Sequence, residues 1–139
     1  MEHCTKREIE EALRVIDSAI GRSEKAQEKF AQGTAQHTLQ KNRIKALQIA
    51  ASLMSEELAE DGGVEQYTRE DLEKALAPIT SLISKSEKAR GKLAQGTWQH
   101  TMLSDLIKAL YLASPLLAKA LDRTKAGDRD SLPSYDAGR

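Results

Sequence analysis

Aromatic side chains are scarce in this sequence, with one Trp, one Phe and three Tyr making up 4% of its 139 residues. An interior built without them is filled by Leu, Ile and Ala, a palette that suits packed helices. Cysteine is scarcer still. The lone Cys4 cannot form an internal disulfide and has no second thiol for a zinc site, which fits a reducing, cytoplasmic setting. Neither sign of charge is in excess, since 21 Lys and Arg balance 21 Asp and Glu, and that balance counts against a protein coated in basic residues for nucleic acid. No long apolar run is present either. The longest nearly apolar stretch, Leu106 to Leu121, is broken by Lys108, Ser114, Pro115 and Lys119, and no basic segment leads into an apolar one near the N-terminus. Neither a signal peptide nor a membrane span is expected. With 40% apolar and 30% charged residues, the chain is globular rather than disordered.

What the chain does contain is itself, twice. Residues 5–58 align without a gap on residues 68–121 at an offset of 63, and 26 of the 54 aligned positions are identical. The agreement is concentrated: SEKAQEKFAQGTAQHT (23–38) against SEKARGKLAQGTWQHT (86–101) keeps 12 of 16, while the other 38 positions keep 14. Such a repeat governs the fold, because neither half can bury its apolar face alone.

Apolar residues of the first half recur at helical spacing: Ile9, Ala12, Leu13, Ile16, Ala19 and Ile20, then Ile44, Leu47, Ala50, Ala51, Met54 and Leu58. The second half repeats this with Leu72, Ala75, Leu76, Ile79, Leu82 and Ile83, then Leu103, Leu106, Ile107, Leu110, Ala113, Leu117 and Leu121. Thr5 with Glu8 predicts a full capping box, and Thr68 with Asp71 a weaker acidic variant. Gly33 and Gly96 are expected at the left-handed C′ position that stops each first helix, with Thr34 and Thr97 capping the next. Gln-Gly-Thr is then a tight turn between helices of about 25 residues, roughly 37 Å long.

The linker, residues 59–67 with its Gly62-Gly63 pair, reaches at most about 30 Å, so the third helix starts at the end where the second stops. The prediction is an all-α, up-down-up-down four-helix bundle built from two tandem, internally duplicated helical hairpins. One helical domain covers residues 1–126, and a polar, loosely ordered tail follows at 127–139. Pro78 and Pro115 fall inside helices 3 and 4 at similar height. A packing kink is expected there, with a hinge the alternative.

In this topology both Gly-Thr turns lie at one end, which places the two matched segments side by side. Turn chemistry accounts for the shared Gly and Thr, and close helix approach for Ser23 and Ala26; the shared Lys, Gln, Glu and His need another reason. Charge points to the same end, since residues 22–45 sum to +4 and 85–108 to +3 within a neutral chain. Helix N-termini there also favour anions. The candidate binding residues are therefore Lys25, Lys29, Gln36, His37 and Lys45 with their mates Lys88, Lys92, Gln99, His100 and Lys108. Trp98, which stands where the first copy has Ala35, reads as a lid over the turn or a packing contact, with an interface anchor as the functional alternative.

His37 and His100 read first as residues hydrogen-bonded at a helix start. A metal would need further donors, and only Glu24, Glu87, Gln36 and Gln99 are near, without the Glu-x-x-His pairs of di-iron bundles. General acid–base work would use Ser23, Ser86, Glu24 or Glu87, which show no recognised catalytic spacing. The expectation is a non-enzymatic cytoplasmic binding or adaptor module without a cofactor, whose basic end meets a protein or an anionic ligand. A nucleic-acid accessory protein is the rival, and a His-centred metal or enzyme site stands third. A homodimer is a further option, because Gln40 and Arg43 of helix 2 become Leu103 and Leu106 in the more apolar helix 4.

Overall fold

The computed structural model describes residues 5–59 and 67–131. Four helices make up the fold: α1 Lys6–Glu28, α2 Ala35–Leu58, α3 Arg69–Gly91 and α4 Trp98–Ser131. Helix α1 packs on α2 and α4, α3 packs on the same two, and α2 touches α4 across the diagonal. That ring order, with sequential neighbours antiparallel, is the up-down-up-down bundle. Both Gly-Thr turns lie at one end of it.

The helix starts are as their sequences imply. The Glu8 N–H donates to Thr5 Oγ1 at 3.1 Å and the Thr5 N–H to Glu8 Oε1 at 2.9 Å, a closed capping box. At α3 the Asp71 N–H donates to Thr68 Oγ1 at 3.1 Å, and the shorter Asp71, whose carboxyl also lies against Thr68, does not close a full capping box. That difference recurs in the chemistry of the bundle's sides.

The stops differ from expectation. Gly33 and Gly96 do hold positive φ, 88° and 91°, yet α1 ends at Glu28 and α3 at Gly91, well before them. The last turns tighten instead: the Lys29 N–H bonds to Ala26 O, Phe30 to Gln27, Lys92 to Ala89 and Leu93 to Arg90. Lys29 and Lys92 are the C-caps, and each glycine belongs to a six-residue loop, 29–34 or 92–97. Both prolines lie within helices that continue unbroken past them. Beside Pro115, the Ser114 hydroxyl donates to Leu110 O at 3.2 Å. Helix α4 also runs on through Ser131, into the segment expected as a loose tail; residues 132–139, like most of the linker, lie outside the described residues.

The core comprises Ile9, Ala12, Ile16 and Ala19 of α1, Leu47, Ala50, Leu53 and Met54 of α2, Leu72, Ala75 and Ile79 of α3, and Leu106, Leu110, Ala113 and Leu117 of α4. Matched residues meet matched fates, since Ile16 and Ile79, and Leu47 and Leu110, are among the most deeply buried. Two readings need correction. Leu76 is exposed although it falls on the apolar stripe, and Ala46, Ile49 and Ala109 are buried although they fall outside it. Helices α2 and α4 contact three neighbours each rather than two, so one stripe understates what they bury. The apolar segment Trp98–Thr124 of α4 is long enough, by length and composition alone, to cross a bilayer, with mean hydropathy 1.2. Its Leu106, Leu110, Ala113 and Leu117 are spent on the bundle core.

Burial stops well short of the turns. Ser23, Ser86, Ile44 and Leu106 are the buried residues nearest the turns on their helices, and nothing in 24–43 or 87–105 is buried. The bundle thus has two tiers: a packed body, and two helix-pair tips that project from it.

Candidate functional site

The tips carry the matched segments. Of their twelve identical residue pairs, only Ser23 and Ser86 are buried, and eight pairs are exposed in both copies. Packing therefore explains little of the agreement. Lys25, Lys29 and Gln36 on one tip, and Lys88, Lys92 and Gln99 on the other, all face solvent. Among the described residues, these four lysines take part in no hydrogen bond or ion pair.

Each turn is locked by its threonine. Thr34 Oγ1 donates to Ala31 O at 2.7 Å and accepts the His37 N–H at 3.2 Å. Thr97 does the same with Ala94 O at 2.9 Å and the His100 N–H at 3.2 Å. His37 and His100 are therefore held at N3 of α2 and α4, half-buried against their hairpins. Among the described residues their imidazoles have no partner, and no three His, Cys, Asp or Glu side chains gather in a metal-binding group.

Trp98 is 69% exposed at the first position of α4, so it does not pack into the bundle core. The tips also differ in bracing. In the second hairpin Arg90 donates to Ser104 Oγ at 3.3 Å and Tyr111 to Glu87 Oε2 at 2.9 Å, and the bond to the Glu87 carboxylate raises the Tyr111 pKa above its ordinary value. The first hairpin has Gln27, Lys41 and Gln48 at the places of Arg90, Ser104 and Tyr111 and no such ties among the described residues. Nor does any hydrogen bond or ion pair join one tip to the other there.

The structure separates Lys45 and Lys108 from the tips, as each sits eleven residues past its cap, about 16 Å along the helix. Lys45 Nζ lies 3.5 Å from Asp71 Oδ1, between α2 and α3. The Thr68 hydroxyl, and then the Lys45 ammonium, hold the Asp71 carboxyl below the usual carboxylate range. Lys108 instead lines an open groove of about 470 Å³ between α1 and α4, with Arg14, Ser18 and Asp105 also on its walls. These three had no distinguishing signal in the sequence.

Two polar residues on α2 stand out beside the body. Arg43 is half-buried, has no partner among the described residues, and burial lowers its pKa. Gln40, one turn earlier, has its Oε1 buried without a hydrogen bond. Their counterparts in α4 are Leu103 and Leu106, the latter 5% exposed. No protein family, curated protein or solved structure matches this chain.

Proposed function

We propose that this chain is a cytoplasmic binding module that uses its two tips as the recognition surface, for an anionic ligand or an acidic face of a partner protein. The observation that carries this reading is the exposure of the matched pairs. A side chain facing water tolerates replacement at small cost to stability, so the agreement of Lys25, Lys29 and Gln36 with Lys88, Lys92 and Gln99 calls for a role outside packing. Unpaired ammonium groups attract the anion, the glutamines and the threonine-fixed histidines orient it, and Trp98 gives the second tip an apolar anchor that the first lacks.

The test is a thermal-shift screen with phosphorylated metabolites, nucleotides, short oligonucleotides, acidic peptides and divalent metals, run beside a Lys25→Glu/Lys88→Glu variant. Both lysines are exposed and without a partner among the described residues, so the variant is expected to melt with the parent. Stabilisation by an anion or acidic peptide that the variant loses supports the reading. Stabilisation by oligonucleotides with a steep salt dependence replaces it with nucleic-acid binding, and a response to metals that survives charge reversal moves function away from the lysines.

A further inference from the structure

The groove between α1 and α4 has an internal comparison. The repeat relates this side of the bundle to the α2–α3 side, where Lys45 stands for Lys108 and Asp71 for Glu8. On the α2–α3 side the chain supplies its own anion, because the Asp71 carboxyl, held beside its cap residue Thr68, also meets Lys45 at 3.5 Å. On the α1–α4 side Glu8 reaches the Thr5 N–H at 2.9 Å, and its carboxylate is engaged in the capping box. Lys108 is left without a partner among the described residues, and so is Arg14 on the facing helix.

We infer that the α1–α4 groove is a binding site for a small amphipathic monoanion, a carboxylic acid with an apolar body, whose head group takes at Lys108 and Arg14 the place that Asp71 takes at Lys45. The volume of about 470 Å³ lies in the range of small-molecule sites. Val15, Leu112 and two alanines supply apolar wall against which a hydrocarbon body gains by leaving water. Three carboxylates line the groove against two cations, yet Glu8 is engaged by its cap and Glu11 pairs with Arg7 at 3.7 Å. Asp105 remains, and it opposes any anion at this wall, a dianion twice as strongly as a monoanion, so the head group is placed at Lys108 and Arg14 with a single charge. The site is distinct from the tips and does not depend on their role.

The experiment is a methyl-NMR titration of the full chain with octanoate, and with octanol and octylamine as neutral and cationic counterparts. Octanoate is expected to shift the Val15 and Leu112 methyls saturably, and at least several-fold more tightly than either counterpart. Lys108→Gln is expected to weaken octanoate about tenfold. Lys108 is exposed and without a partner among the described residues, so this variant is expected to keep the fold, which an unchanged core methyl spectrum verifies. Glu8→Asp, which gives α1 the residue that closes the other side, is expected to weaken octanoate as well. Lys25→Glu at the tip leaves it unchanged, which separates this site from the proposed recognition surface. Absence of saturable shifts at Val15 and Leu112, equal or tighter binding of octanol or octylamine, or indifference to Lys108→Gln or Glu8→Asp would overturn the assignment.

Discussion

Replacing Arg43 with leucine should make this protein more stable. The guanidinium is half-buried, has no partner among the described residues, and has its pKa lowered by loss of water. Burial therefore costs free energy that no ion pair returns. The other half of the chain shows what the position accepts, since Leu106 stands there at 5% exposure within the core. Burying a leucine fully contributes about 1.5–3 kcal/mol, and a half-buried place recovers about half of that. A gain of about 1 kcal/mol follows before the relief of desolvation is counted, or roughly 3–5 °C in Tm for a domain of this size. Urea unfolding followed by circular dichroism measures it as a raised midpoint at unchanged slope. The reciprocal change, Leu106→Arg, places an unpaired charge in the core and should cost at least about 3 kcal/mol. If Arg43→Leu lowers the midpoint or leaves it in place, the guanidinium has a stabilising partner and the reasoning fails. If it raises stability and also abolishes ligand binding, Arg43 is kept for function at the expense of the fold.

Gly33→Ala and Gly96→Ala should each cost about 1 kcal/mol, because φ is 88° and 91° while a new Cβ would meet nothing within 4 Å; the cost is purely one of backbone conformation, and Asn in place of Ala should recover part of the lost Tm. Asp71 has its pKa lowered in the folded state, so its stabilisation is fully present above the unfolded value of about 3.9 and fades as pH falls through the lower folded value. Stability curves of the parent and Asp71→Asn should therefore differ at neutral pH and draw together in acid, and a constant gap would contradict the Lys45 and Thr68 contacts. Pro115→Ala, at an exposed position inside α4, restores an N–H for the Tyr111 carbonyl and should raise stability by about 1–2 kcal/mol after the unfolded-state entropy is offset; a lower midpoint would mean that the proline's local geometry is needed for packing.

Periodicity located the body of the bundle well, because Ile16, Leu47, Ile79 and Leu110 are buried where a helical stripe requires. It undercounted α2 and α4, since a stripe is a property of one helix and the number of neighbours around it is a property of the assembly. The linker's short reach was enough to put both turns at one end. Where α1 stops was not legible, for Lys29 carries no stop signal and the helix tightens at Glu28 through backbone bonds alone. The candidate residues were legible as matched polar positions, whereas their division into tips, ion pair and groove was not. That division turns on Glu8 against Asp71, since the Asp71 carboxyl meets Lys45 as well as its cap residue while Glu8 closes its capping box, and a residue type in isolation does not reveal which partners it will choose.

The two-tier burial sets a hierarchy of opening. Between Ser23 and Ile44, and between Ser86 and Leu106, no side chain is buried, so the amides there can exchange with solvent through local fraying while the body stays intact. The second tip carries the cross-helix ties of Arg90 and Tyr111 and the first has none among the described residues. Deuterium should therefore enter the first hairpin's turn sooner than the second's. A protease admitted at that turn would nick the chain and leave four helices still assembled, held by a core that the cut never reaches.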